Sequence, residues 1–427
     1  MKTLRIGDTG PAVYFLQTAL LRAGYLLDGG VDGIFGANTE NAVKRFQQEN
    51  SLVADGVAGE RTNTALAPFY SGYVKRRVRT GDTFYKLAGL YGSSVDAIRI
   101  ANPNVDENNI EVGSSITVPL SFDVVPKNIP FTYEVLLFCV EGLKARYPFL
   151  NLTTLGRSVM GKNIPLIKIG NGPNKLMYNA SHHANEWITS IVLTAFLEEY
   201  SSAVAFNRRI FRVDAKRLFE NTTLFLVPML NPDGVDLATG YLTSGDYYTR
   251  AVEISNNYPN ISFPTGWKAN IEGTDLNLNY PALWERAKAI KFAQGFVTPA
   301  PRDYVGSSPF SAPESRLLGE LTKNNDFYLT LSYHTQGKII YWKFADIEVE
   351  NAEKIVKLYE AVSGYTAEIT PESSGYAGYK DWFIQTFRRP GYTIECGRGV
   401  NPLPLSQFND IYEANRGILT VSLLLEQ

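Results

Sequence analysis

A chain of 427 residues is longer than one hydrophobic core ordinarily organises, so two or three domains are expected. With 41 basic and 43 acidic residues the net charge is −2, which excludes a global field aimed at nucleic acid or an anionic membrane. Two cysteines exclude a disulfide framework, and the longest apolar run, Thr223–Leu230, is too short to span a bilayer. The N-terminus Met-Lys-Thr-Leu-Arg-Ile-Gly-Asp lacks an apolar core segment, so no signal peptide is read, and synthesis in the cytoplasm is expected.

The first segment, 1–70, contains an internal echo. Asp32-Gly33-Ile34-Phe35-Gly36-Ala37-Asn38-Thr39 returns loosely as Asp55-Gly56-Val57-Ala58-Gly59-Glu60-Arg61-Thr62. Each Asp-Gly predicts a turn, and Thr39 and Thr62 are expected to N-cap the helices that follow. Val13, Leu16, Leu20 and Leu21 before the echo, and Ala42, Val43 and Phe46 inside it, lie at helical spacing. The pattern resembles the small all-α peptidoglycan-binding domain of bacterial wall hydrolases.

In 72–120 the run Tyr73-Val74 is followed by Thr80-Gly81-Asp82-Thr83, Leu87-Ala88, Asn102-Pro103-Asn104 and Val112-Gly113-Ser114-Ser115-Ile116-Thr117-Val118-Pro119. Two short alternating strands around two brief helices are predicted. This resembles a LysM module, a small α+β unit of order βααβ; the resemblance implies binding of glycans that contain N-acetylglucosamine, and a spacer without ligand is the alternative. The basic run Lys75–Arg79 reads as a solvated face, with attraction to anionic wall polymers as the alternative. Residues 121–130, with Pro126 and Pro130 and no periodicity, read as a linker.

From 131 to 427 helical and strand-like runs alternate. A helix is predicted over Tyr133–Tyr147, strands over Ile164–Ile169, Lys175–Asn179, Thr223–Val227 and Tyr328–Tyr333, and helices over Ile188–Ser201 and Pro313–Asn324. Such alternation predicts an α/β domain with a largely parallel sheet. All three histidines fall where loops leave predicted strands: His182 and His183 in Asn-Ala-Ser-His-His-Ala-Asn-Glu-Trp, and His334 in Leu-Ser-Tyr-His-Thr-Gln-Gly. His183, Glu186 and His334 supply two imidazoles and a carboxylate, the ligand set of one catalytic Zn2+ with a fourth position open. His182 with Glu186 is a competing pair at helical spacing, disfavoured because this stretch reads as a strand end and loop. Glu395, at the end of the apolar run Gly391–Ile394, is the best candidate base; a solvated rim carboxylate is its alternative.

His183-x-x-Glu186-Trp187, Asn231-Pro232-Asp233-Gly234, Asp275-Leu276-Asn277-x-Asn279-Tyr280, Phe310-Ser311-Ala312-Pro313-Glu314, Ser332-Tyr333-His334 and Ile394-Glu395 occur in the order seen in zinc carboxypeptidases of the carboxypeptidase A type. The resemblance implies an α/β domain whose mixed, largely parallel sheet is flanked by helices. It also implies zinc held by His183, Glu186 and His334, with Glu395 as general base and acid. Lys268 sits where the family often has an arginine that polarises the scissile carbonyl; an exposed, salt-bridging lysine is the alternative.

Two departures bear on specificity. Digestive members have an Asn-Arg pair that clamps a free C-terminal carboxylate, and here Leu278 follows Asn277, so trimming of ordinary C-termini is disfavoured. The tyrosine that caps the substrate also has no clear counterpart, with Tyr376 or Tyr379 as substitutes. The stretch Glu395-Cys396-Gly397-Arg398-Gly399-Val400-Asn401-Pro402 resembles the bacterial γ-D-glutamyl-L-diamino acid endopeptidase I subgroup. That resemblance implies cleavage between γ-D-glutamate and meso-diaminopimelate in peptidoglycan stem peptides. Arg398 is then the expected reader of substrate carboxylates, or a structural partner of an aspartate, and Asn277 a second substrate-binding residue. Peptidoglycan is the expected partner, met at the wall or the spore by a route not written in the N-terminus. A carboxypeptidase releasing terminal residues and an inactive wall-binding protein are the alternatives.

Overall fold

A computed structural model describes residues 1–25 and 29–425, which form two compact units: Met1–Pro130 with Glu134–Asn151, and Phe131–Tyr133 with Leu152–Gln427.

In the first unit, helices Pro11–Arg22, Ala37–Glu49 and Glu60–Ser71 bury Val13, Leu16, Phe35, Val43, Phe46, Leu66 and Tyr70. Two buried glutamines account for the sequence echo. The Gln17 amide donates to Asp32 Oδ1 (2.8 Å) and Thr39 Oγ1 (3.0 Å), while its Oε1 accepts from the Asp32 and Gly33 amides. Gln47 repeats the arrangement with Asp55 Oδ1 (2.9 Å), Thr62 Oγ1 (3.0 Å) and the Gly56 amide (2.9 Å). This corrects one expectation. Gly36 and Gly59 hold the N-cap positions, and Thr39 and Thr62 lie inside their helices, because their hydroxyls are turned inward to the glutamines.

Strands Tyr73–Arg77 (β1) and Ser115–Pro119 (β2) pair antiparallel around helices Phe84–Tyr91 and Val95–Ala101, in the predicted βααβ order. Asn102 ties the second helix to β2, donating to Thr117 O (2.7 Å) and accepting from the Thr117 amide (2.9 Å). Residues 121–130, expected as a linker, have Val124, Val125 and Ile129 buried, and Arg22 Nη2 donates to Asp123 O (2.8 Å).

The helix Tyr133–Arg146 falls where the sequence predicts it, but from Glu134 onward it belongs to this first unit. Phe138 packs with tilted rings against Phe15 and Tyr70 (centroids 5.6 and 5.2 Å). A Cβ on Gly142 would lie 1.9 Å from Ser71 O, so only glycine permits this approach. Arg146 donates to Gly72 O (2.8 Å), Leu120 O (2.7 Å) and Phe122 O (2.9 Å).

The second unit is built on an eight-stranded sheet: Asn151–Arg157 (β3), Asn163–Ile169 (β4), Asn174–Ala180 (β5), Thr222–Val227 (β6), Phe327–Thr335 (β7), Ile339–Tyr341 (β8), Thr366–Glu368 (β9) and Gly391–Cys396 (β10). Its order is β9-β8-β10-β7-β5-β6-β4-β3. The four central strands β10, β7, β5 and β6 are parallel, whereas β8 on β10 and β4 on β6 are antiparallel. The predicted strands and the helices Ile188–Ala205 and Pro313–Lys323 lie within a few residues of expectation. Helix Ile188–Ala205 is apolar on most of its circumference and is correspondingly buried. The chain leaves β5 toward β6 on one side, while β7 flanks β5 on the other. Loops from β5 and β7 therefore diverge, and a crevice opens at the carboxyl ends of the central strands.

Candidate metal centre and catalytic cavity

Three chain segments meet in that crevice. His183 and Glu186 bracket a single 3-10 turn, Ala184–Glu186, directly after β5. His334 is the penultimate residue of β7, and the parallel register sets Glu395 of β10 beside it, so both side chains leave the same face of the sheet. Thr393 and Glu395 face the cavity, while Ile394 and Cys396 between and after them are buried on the opposite side.

The donor atoms of His183, Glu186 and His334 all lie within 4.8 Å of one another. His183 Nδ1 is 3.0 Å from Glu186 Oε1, and His334 Nδ1 is 3.1 Å from both Glu186 Oε2 and His183 Nδ1. Two facing imidazole nitrogens need a proton or a cation between them. Ligands about 2.0–2.1 Å from a tetrahedral zinc stand roughly 3.3 Å apart, so the observed spacing suits the ion. His182 is not among the three: fully buried, it pairs with Tyr280 Oη at 3.1 Å, and burial holds its pKa well below the ordinary value.

A further shell orients these groups. His183 Nε2 is 3.1 Å from Asp275 Oδ1, and Asp275 is itself held by the amides of Asn277 and Asp303 (3.1 Å each). A carboxylate at the far nitrogen fixes the tautomer that presents Nδ1 to a metal. Glu186 accepts from the Thr335 amide (3.1 Å) and Asn401 Nδ2 (3.3 Å), and Lys268 Nζ is 3.2 Å from Oε1. Asp275 and Asn401 both sit inside motifs visible in the sequence, but a sequence does not reveal which polar side chain of a motif turns toward a ligand.

The electrostatics follow from burial and charge. Burial opposes ionisation of Glu186, yet the charges of His183 and Lys268 hold its pKa well below the usual range. His183 is raised to about 9, Glu186 and Asp275 outweighing burial, while burial lowers His334. Glu395 is raised to about 8 by burial and by the negative charge of Glu186. Lys268 is raised, since Glu186, Asp275 and Glu395 outweigh its burial.

The cavity has a volume of about 900 Å³, and its walls carry Lys268, Asn277, Leu278, Arg302 and Glu395 together with His183. Three sequence candidates do not line it. Arg398 is exposed: Gly397 (φ 68°) turns the chain out of β10, and the Gln407 side-chain amide bonds the Arg398 main chain at 3.1 and 2.7 Å. Tyr379 points into the core, 2.8 Å from Thr322 Oγ1 and against Tyr280. Tyr376 packs on Phe344 with the Arg286 guanidinium over its ring. Arg302, which the sequence reading passed over, is on the wall instead.

Comparison with known proteins agrees with this arrangement. Residues 138–416 match the zinc carboxypeptidase family, 9–66 a peptidoglycan binding domain and 77–119 the LysM domain. The chain is 42% identical over 296 residues to gamma-D-glutamyl-L-diamino acid endopeptidase 1 of Lysinibacillus sphaericus, which covers 69% of this chain and 72% of that protein. It is 39% identical over 284 residues to the uncharacterized protein YqgT of Bacillus subtilis, covering 66% and 74%. Among solved structures, thrombin activatable fibrinolysis inhibitor aligns with a TM-score of 0.55 at 15% identity, over 83% of this chain and 99% of that one, a likeness of fold alone. No helix among the described residues is long and apolar enough to cross a membrane. The chain thus belongs to the zinc carboxypeptidase family and is a zinc metallopeptidase carrying a peptidoglycan-binding domain and a LysM module.

Proposed function

We propose that the chain hydrolyses the amide between the γ-carboxyl of D-glutamate and the L-centre of meso-diaminopimelate in peptidoglycan stem peptides. The observation that carries this reading is the 42% identity to an endopeptidase named for that bond, over 72% of its length. Leu278 on the cavity wall supports it, since an apolar side chain offers nothing to a C-terminal carboxylate. The two N-terminal modules support a wall substrate, which they keep at high local concentration.

In this reading His183, Glu186 and His334 hold one zinc. When bound, the ion supplies Lewis acidity for attack by water. The Glu395 carboxylate takes the proton of the attacking water and returns it to the departing amine of diaminopimelate. Lys268 Nζ holds the carbonyl oxygen as charge develops on it, and Asp275 keeps the His183 ring in place. Asn277, on the cavity wall, contacts the substrate.

Mass spectrometry of products from L-Ala-γ-D-Glu-meso-diaminopimelate-D-Ala tests the reading. L-Ala-D-Glu and diaminopimelyl-D-Ala, lost on chelation, are the expected products. Release of D-Ala alone would make the enzyme a carboxypeptidase and overturn the argument from Leu278.

A further inference from the structure

Among the described residues, four lysine and arginine side chains line the cavity, and they differ in what already holds them. Lys268 pairs with Glu186 at 3.2 Å, Lys291 with Asp303 at 2.6 Å, and Lys380 with Asp381 at 2.6 Å. Arg302 is the most accessible: its side chain is 44% exposed, against 17, 9 and 4% for the three lysines. Its Nε is taken by Asp303 Oδ2 at 2.5 Å. Among the described residues its two Nη groups have no hydrogen-bond partner. The outer edge of the guanidinium, which matches a carboxylate in two parallel hydrogen bonds, is therefore open on the cavity wall.

The backbone around Arg302 is fixed to the same elements that build the metal centre. The Lys268 and Ala269 amides donate to Pro301 O (2.7 and 2.9 Å), Ala300 donates to Gly273 O (3.0 Å), and Asp275 donates to Tyr304 O (2.8 Å). The Asp303 amide donates to Asp275 Oδ2 at 3.1 Å. Arg302 thus stands between two anchors, one beside Lys268 and one at the aspartate that orients His183. The backbone beneath Arg302 is thereby fixed, and the Asp303 contact at Nε restrains its side chain, so less freedom is lost when it takes a ligand.

We infer that Arg302 is the specificity-determining residue of this peptidase, receiving a free carboxylate of the stem peptide in the cavity. The inference rests on the proposed γ-glutamyl substrate. A γ-linked D-glutamate keeps its α-carboxylate free, and meso-diaminopimelate keeps the carboxylate of its D-centre. Either suits the Arg302 fork, and neither is served by Leu278. Arg302 takes over the role that the sequence suggested for Arg398.

The test compares three tetrapeptides: the native stem peptide, one amidated at the D-glutamate α-carboxyl, and one amidated at the diaminopimelate D-centre. Each is assayed with the full-length zinc-loaded enzyme and with Arg302→Gln and Arg302→Lys, after zinc content and thermal midpoint are matched. The wild type should prefer the native peptide over one amidated form by on the order of 10- to 100-fold in kcat/KM. Arg302→Gln should abolish that preference through KM with kcat nearly kept, and Arg302→Lys should restore part of it. The amidation that the Gln variant no longer senses marks the carboxylate Arg302 holds. An equal loss on all three peptides with the preference intact overturns the assignment, as does a wild type indifferent to both amidations. Failure of the wild type to cut any of them at the γ-glutamyl bond overturns the substrate reading, and the assignment with it.

Discussion

Glu395 and His183 illustrate how the same burial acts in opposite directions on neighbouring groups. In the metal-free protein at neutral pH both hold a proton, His183 near 9 and Glu395 near 8. Zinc must displace the proton on His183 Nδ1, and its positive charge draws the Glu395 pKa down. Zinc binding at pH 7 should therefore release between about one and two protons per ion, and Glu395→Gln should release about one. Calorimetry in buffers of different ionisation enthalpy measures the difference, and equal release by the two proteins contradicts it. The same variant should lose roughly 10²–10⁴-fold in kcat with zinc content unchanged, the usual contribution of a positioned proton carrier. Asp275→Asn removes the charge behind His183 Nε2 and should weaken zinc about 10–100-fold in a chelator competition. At this scale the cluster of His183, Glu186 and His334 was legible in the sequence, because scarce histidines at strand ends narrow the choices. Arg302 was not, since it follows Pro301 in a loop with no motif of its own.

Elements carry the next layer of consequences. The paired Gln17 and Gln47 explain how a short helical module holds two Asp-Gly turns: one side chain satisfies both donors and acceptors of each loop. Gln17→Leu leaves the Asp32 and Gly33 amides and Thr39 without that partner. The Gly33 and Thr39 bonds are the buried ones, so the change should destabilise the module by about 2–6 kcal/mol, at about 1–3 kcal/mol for each buried group left unpaired. Hydrogen exchange in the full chain should show faster exchange across the module while the peptidase sheet keeps its protection. The turn residues were readable from Asp-Gly alone. The capping role given to Thr39 and Thr62 was misread because a hydroxyl can serve a helix end or a buried amide, and only packing decides which. Short strands such as Ile339–Tyr341 and Thr366–Glu368 went unread because three residues carry no periodicity.

At the scale of the molecule, the helix Tyr133–Arg146 matters most. Phe138, Gly142 and Arg146 are fitted to Phe15, Tyr70, Ser71 and Gly72 within the first unit. A truncation beginning at residue 131 strips that partner away and exposes an apolar helix face, a known aggregation liability. Such a fragment should aggregate or melt earlier than the full chain, and Phe138→Ser should recover solubility in the fragment while destabilising the intact protein. Light scattering and thermal melts of the four proteins decide this.

The order of modules, the alternation that makes a parallel sheet, and the residue types of a zinc site were all legible along the chain. Each of these depends on local spacing or on chemistry that few residue types provide. Tertiary structure alone decided which side chains of the motifs face the cavity and which serve the core. Tyr379 turned inward, Arg398 outward, and Arg302 and Asn401 toward the site, because strand register and loop anchoring bring together residues far apart in the chain, and neither has a local signature.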